Sequence, residues 1–306
     1  MKNVRKNSAG GKGLKIMMTY EIITDTSANL PEELINKFGI KIVSLSFFVN
    51  SVEYQSYEEG KKTDLVQFYE MMRKKEHITT SLVSPEKFEA IFESCAKEGK
   101  DILYIGISSG ISGTMRSANI AADIVKEKYP DTKILIWDSL GAALGQGLLV
   151  YKAGEMRLQG SSIDETYNML EETKLKLCHW FTVDDLFFLS RGGRVSSTTA
   201  VFGSLLNIKP VMHVDDNGKL IPTGKVRGRK QALLYLVERF KELAIDPENQ
   251  VISISHGDCL TDAEFVINEI KKTYNIKDVI YNCLDPVIGA HAGPGTVALF
   301  FVGKHR

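Results

Sequence analysis

The chain has 306 residues, 43% of them hydrophobic and 25% charged, with 38 Lys and Arg balanced by 38 Asp and Glu. That is about the size of two soluble domains with substantial cores, and no apolar run nears the roughly 18–20 residues of a spanning helix, which excludes a helical membrane protein. The first eighteen residues hold five basic and no acidic residues, so the rest carries 33 basic against 38 acidic, a net of −5. This acidic body argues against a nucleic-acid binder and gives no support to a transcriptional or scaffold role.

The start, MKNVRKNSAGGKGLKIM, lacks the apolar core of a signal peptide. Residues 1–17 read as a disordered extension or an expression scar, with Met17 or Met18 as the natural start. Tyr20 to Thr24 reads as a short strand, and Asn29-Leu30-Pro31 opens a helix. Lys41 to Val49 and Val52 to Gln55 flank Asn50-Ser51 as a hairpin. Leu65, Phe68, Tyr69 and Met72 line one helix face, and Ser84-Pro85-Glu86 starts a second helix whose stripe is Phe88, Ile91, Phe92 and Cys95. A strand over Ile102 to Ile107, a Ser/Gly turn, a helix to Tyr129, a strand over Lys133 to Trp137 and a small-residue helix from Ala142 to Leu158 follow. This βαβα rhythm predicts a parallel, Rossmann-like sheet covered by helices.

Gln159-Gly160-Ser161 breaks the chain, and Ser162-Ile163-Asp164-Glu165 is a capping box. Lys209 to Val214 and Lys219 to Lys225 read as strand, turn, strand; Leu233, Leu236, Val237 and Phe240 mark a helix. Val251 to Ser255 is a strand, Thr261-Asp262-Ala263-Glu264 caps the next helix, and strands near Val279 to Cys283 and Thr296 to Val302 close the chain. The fold class is α/β in two domains: residues 18–160 with a parallel sheet, and residues 161–306 with a mixed or antiparallel one. Cys95, Cys178, Cys259 and Cys283 are too widely spaced for a zinc or redox motif and read as small hydrophobes in a reduced, cytoplasmic compartment.

Four polar clusters carry possible chemistry. Gly106-Ile107-Ser108-Ser109-Gly110-Ile111-Ser112-Gly113-Thr114 runs from a strand into a helix, where unpaired N–H groups attract an anion. Ser112 is read as the N-cap, with Gly110 and Gly113 letting a ligand near the backbone. It is no P-loop, since no Gly-Lys-Ser/Thr follows. Thr79-Thr80-Ser81 offers hydroxyls at a second loop edge. Ser190-Arg191-Gly192-Gly193-Arg194-Val195-Ser196 pairs a Gly-Gly turn with two guanidiniums able to hold a carboxylate or phosphate. Gly289-Ala290-His291-Ala292-Gly293-Pro294-Gly295-Thr296 sets one titratable group in what reads as a tight loop. A competing enzyme reading takes Gly106-x-Ser108-x-Gly110 as a nucleophile elbow, with Asp258 and His291 completing a serine acyl-hydrolase.

Taken in order, the segments resemble the DegV family of fatty-acid-binding proteins from Tyr20 to Val302. The resemblance rests on Thr24-Asp25-Thr26-Ser27 with Leu30-Pro31, Thr80-Ser81 with Ser84-Pro85, and Ser109-Gly110-Ile111-Ser112-Gly113-Thr114. It continues through Leu189 with Gly192-Gly193-Arg194-Val195-Ser196, Lys209-Pro210 and Gly289-x-His291-x-Gly293-Pro294-Gly295. Leu82-Val83 departs from the Gln-Pro common in the family after Thr-Ser. The resemblance implies two α/β domains with a long-chain acyl group in a tunnel between them. It places Thr80 and Ser112, beside Gly113, on the carboxylate, with Arg194 and His291 near the head group and Arg227 near the same mouth. It further implies a carrier, not itself an enzyme, that presents the acid to a separate fatty-acid kinase subunit, with no metal and no cofactor beyond the bound acid.

Overall fold

The switching periods resolve into three sheets in a computed structural model that describes residues 20–61, 63–195 and 207–306. The expected extension at 1–17 and Ser196 of the Gly-Gly motif lie outside the described residues. In chain order the first part runs β1 (Tyr20–Asp25), a 3-10 turn, α1 (Glu32–Phe38), β2 (Lys41–Val43), β3 (Ser46–Val49), β4 (Val52–Gln55), α2 (Leu65–Arg73), β5 (Ile78–Ser81), α3 (Pro85–Lys97), β6 (Asp101–Gly106), α4 (Thr114–Lys128), β7 (Ile134–Asp138) and α5 (Ala143–Leu158). The second runs α6 (Ile163–Lys174), β8 (Leu177–Thr182), α7 (Phe187–Arg191), β9 (Ile208–Val214), β10 (Leu220–Arg227), α8 (Arg229–Leu243), β11 (Val251–His256), α9 (Leu260–Lys271), β12 (Asp278–Cys283), α10 (Pro286–Ala292) and β13 (Val297–Val302).

β2-β1-β6-β7 form an all-parallel sheet, as the βαβ rhythm requires. The second part carries a mixed sheet, β10-β9-β8-β13-β11-β12, in which only β11 and β12 pair in parallel. A small antiparallel sheet, β4-β3-β5, stands apart. It corrects two expectations. Lys41 to Val49 is not one strand: it breaks at Ser44-Leu45, where the Leu45 N–H donates to Thr26 Oγ1 (3.2 Å) and the Leu45 carbonyl accepts from Ser56 N (3.0 Å). Thr79-Thr80-Ser81 is not a turn but part of β5, with Thr80 opposite Phe47.

The small residues of α5 have a spatial cause. This helix packs on β1 and β6 of the parallel sheet and on β8, β11, β12 and β13 of the mixed one, so nearly its whole circumference is buried. A helix apolar all round belongs inside. α6 follows residue 160 yet leans back on the first sheet: the Tyr20 and Thr166 hydroxyls bond at 2.8 Å, and Leu170 joins that core. Its capping box forms as read from Ser162 and Glu165. The cap read at Thr261 does not form. α9 starts at Leu260 after Cys259, and Asp262 instead pairs with Arg229 at 2.8 Å.

β1 ends in a buried carboxylate that organises the first sheet. Asp25 accepts from the Tyr104 hydroxyl (2.6 Å), Ile107 N (3.1 Å) and Ser27 N (3.0 Å), with the Ser27 hydroxyl also against it. Gln146 of α5 donates to Thr24 Oγ1 at 3.0 Å and accepts from Ser27 Oγ at 2.9 Å. Desolvation raises the Asp25 pKa while its donors pull it down.

Candidate functional site

A cavity of about 240 Å³ opens between the elements of the two parts, and five of the six sequence candidates meet at one end of it. Thr80 comes from β5, Ser112 and Gly113 from the β6–α4 turn, Arg194 from the segment after α7, and His291 from α10. The remaining wall is mostly apolar, with Ile107, Phe181, Val214, Ala298 and Phe300 among its residues. Arg227 lies elsewhere, exposed at the end of β10 and outside the cavity lining.

His291 is not in a loop. Asp285 and Pro286 start α10, whose N-terminal N–H groups of Val287 and Ile288 donate to the Asp285 carboxylate at 3.2 and 3.1 Å, and His291 sits in its last turn. The Ser56 hydroxyl donates to the same carboxylate at 2.5 Å, and burial pushes the Asp285 pKa up to about 6. His291 Nε2 meets Thr80 Oγ1 at 2.8 Å, while Nδ1 has no hydrogen-bond partner among the described residues and lies against Gly192. Any Cβ at Gly192 would overlap the imidazole, which explains one glycine of the Gly-Gly turn. Burial first, then the charges of Arg194 and Arg191, lower the His291 pKa to about 3, so the ring is neutral.

Ser112 is not the N-cap. α4 begins at Thr114 with Gly113 in the cap position, and Ser112 Oγ accepts from Thr114 N at 3.2 Å and lies 2.9 Å from Thr114 Oγ1. Arg194 donates through Nε to the Ile111 carbonyl (3.1 Å) and through Nη1 to the Gly192 carbonyl (2.5 Å). The guanidinium thereby ties the α7 turn to the Ser112 loop. Burial lowers its pKa, but an arginine keeps its charge.

The two hydroxyls share a geometry suited to an anion. If His291 Nε2–H donates to Thr80, the Thr80 proton is left for a ligand; if the Thr114 hydroxyl donates to Ser112, the Ser112 proton is left likewise. Two such O–H groups beside a guanidinium can bind a carboxylate through charge-assisted hydrogen bonds.

The serine-hydrolase geometry is absent. Ser108 is fully buried, its hydroxyl donating to the Gly218 carbonyl at 2.8 Å and accepting from Gly110 N at 3.0 Å. Asp258 pairs with Arg73 at 2.6 Å, and His291 bonds Thr80. No Ser–His–Asp relay joins the three, and a neutral, low-pKa imidazole bonded elsewhere does not activate Ser108. Arg191, the second guanidinium of the turn, is exposed and stacks on Phe187 and Phe188. A residue that the sequence did not single out also lines the cavity, His179 of β8.

Comparison with known proteins gives a consistent set of relatives. The family described as uncharacterised proteins of the DegV family matches residues 19–304. A DegV domain-containing protein of Clostridium perfringens is 42% identical over 290 residues, covering 95% of this chain and 99% of that protein. Among solved structures, DegV of Bacillus subtilis, described as a fatty acid binding protein, is 31% identical with a TM-score of 0.80 over 94% of this chain and 100% of its own. A stearic-acid-binding protein of Eubacterium ventriosum is 25% identical with a TM-score of 0.83, covering 93% and 98%.

Proposed function

This chain belongs to the DegV family, and from that premise we propose that it is a cytoplasmic carrier that holds one long-chain fatty acid between its two domains, taken to meet near residue 160. The observation that carries the reading is the convergence of Thr80, Ser112, Arg194 and His291 at one end of an otherwise mostly apolar cavity. The Thr80 and Ser112 hydroxyls hold the carboxylate, Gly113 leaves room beside them, and Arg194 and His291 set the polarity of the mouth.

Energy divides unevenly between tail and head. At about 0.8 kcal/mol per CH₂, a sixteen-carbon tail has about 12 kcal/mol of gross driving force before ordering costs. The polar groups therefore fix orientation, leaving the carboxylate at the mouth. There it is presented to a separate fatty-acid kinase: a carboxylate oxygen attacks the γ-phosphoryl group of ATP, the bond to ADP breaks, and an acyl phosphate forms. The phosphoryl transfer is carried out by the kinase, and Arg194 and His291 face the charge that develops in that step.

Mass spectrometry of a solvent extract tests the binding: a long-chain acid should co-purify at near one per chain, and an extract empty of lipid with no tight binding of added palmitate or oleate counts against the reading. Phosphate transfer from ATP by a cognate kinase tests the presentation. With matched lipid loading, Arg194→Ala and His291→Ala should keep the acid and lose most acyl phosphate; equal rates would remove both residues from the transfer.

A further inference from the structure

The apolar wall of the cavity contains a buried histidine that takes no part in holding a head group. His179 of β8 stands directly across from Phe300 of β13, edge-on to its ring with 5.1 Å between centroids. Depth can be read along β13. The Thr296 hydroxyl donates to the carbonyls of Ala292 and Gly293 (2.9 and 3.0 Å), next to His291 at the head-group end. Ala298 and Phe300 follow on the same face, and at about 3.4 Å per residue Phe300 is roughly 14 Å farther in. Their partners across β8, Phe181 and His179, also line the cavity, whereas the next pair, Val302 and Leu177, does not.

The setting of the ring is unusual for so apolar a place. His179 Nδ1–H donates to the Leu177 carbonyl at 3.3 Å, while Nε2 is buried with no partner among the described residues. Burial holds the imidazole neutral. Nε2 fits against Gly141 and Gly145, and a Cβ at either position would overlap it. An unpartnered buried acceptor is unfavourable, so stability alone does not account for a histidine here; a flat ring edge filling a glycine notch does. We propose that His179, wedged against Gly141 and Gly145 and opposed by Phe300, is the stop at the deep end of the cavity and sets the longest acyl chain the protein accepts.

This inference rests on the fatty-acid reading, and its test separates the two. The full-length protein, stripped of lipid, is titrated with straight-chain saturated acids of stepped length. His179→Ala should move the preferred length upward, each further methylene that fits adding about fourfold in affinity. Gly145→Ala should push the ring into the cavity and move the preference to shorter acids. If either variant fails to melt cooperatively, Phe300→Ala replaces it, widening the same end from the opposite strand and lengthening the preference. Variants that bind acids with the wild-type length profile overturn the stop and leave the carrier reading intact. A wild-type protein that binds no acid of any length overturns both.

Discussion

Two polar clusters draw on the first part of the chain, and they differ in one respect. Around Asp25, Tyr104, Ser27, Ile107 N and Gln146 spend their bonds on each other and on the carboxylate. Around the cavity mouth, Thr80 has one side-chain partner, His291, Ser112 has only Thr114, and His291 Nδ1 has no partner among the described residues. A satisfied buried network makes a scaffold; an unsatisfied one at a cavity makes a receptor. Both clusters use Ser and Thr hydroxyls from the recognised motifs, so residue type does not separate them. Bond accounting does.

The comparison can be broken at its scaffold side first. Asp25→Ala strands three buried donors at about 1–3 kcal/mol each, so urea denaturation should show a loss of at least about 3 kcal/mol. A variant as stable as wild type would show that the network is not what organises the first sheet. The two ends of α10 give the next largest effect. In the folded chain Asp285 keeps its proton up to about pH 6 against an ordinary 3.8, so folding takes up a proton between about pH 4 and 6. Its contribution is full below pH 4 and lost as pH rises through 6, by about 3 kcal/mol. His291, lowered from 6.5 to about 3, works oppositely: folding releases a proton, so its contribution grows as pH rises from 3 to 6.5. Denaturation midpoints from pH 4 to 6 should therefore rise more steeply with pH in Asp285→Asn and less steeply, or fall, in His291→Gln. Parallel curves for all three proteins would remove both assignments.

On the receptor side the effects belong to binding rather than stability. Thr80→Val should weaken fatty-acid affinity by about 1.5–3 kcal/mol, the value of a hydrogen bond to a charged group, measured by titration of the folded variant with palmitate. The smallest effect sharpens the contrast. Ser108→Ala loses the bonds to the Gly218 carbonyl and from Gly110 N, so it should cost at least about 1 kcal/mol of stability and leave lipid affinity unchanged. Esterase turnover that disappears in this variant would revive the hydrolase.

The polar segments that line the cavity were legible as residue patterns, but their grouping into one candidate site came from the family resemblance, because the segments are far apart in sequence. The βαβ rhythm of the first sheet was legible directly: alternating strand and helix periods leave few other arrangements. The failures have physical causes. β5 is a four-residue strand with only Ile78 fully buried, so its polar Thr79 and Thr80 imitate a turn. β8 is buried on both faces, which erases alternation around His179 and leaves no local mark of its place in the cavity. The Gly289–Gly293 run looked like a loop, although Asp285-Pro286 carries the signal of a capped helix with proline at its first position. Ser44-Leu45 breaks its strand through bonds to Thr26 and Ser56, partners too distant in sequence to be read locally.

The burial of α5 bears on how the chain is made as well as on what it holds. Its far face meets β8, β11, β12 and β13, the last of which ends at Val302. During synthesis the parallel sheet emerges first, with Leu144 and Gly145 of that face still facing water. They are covered only when the last strand arrives, so the architectural halves should act as one cooperative unit. A fragment covering residues 18–160 is expected to aggregate or bind a chaperone rather than fold, and the intact chain to unfold in a single calorimetric transition.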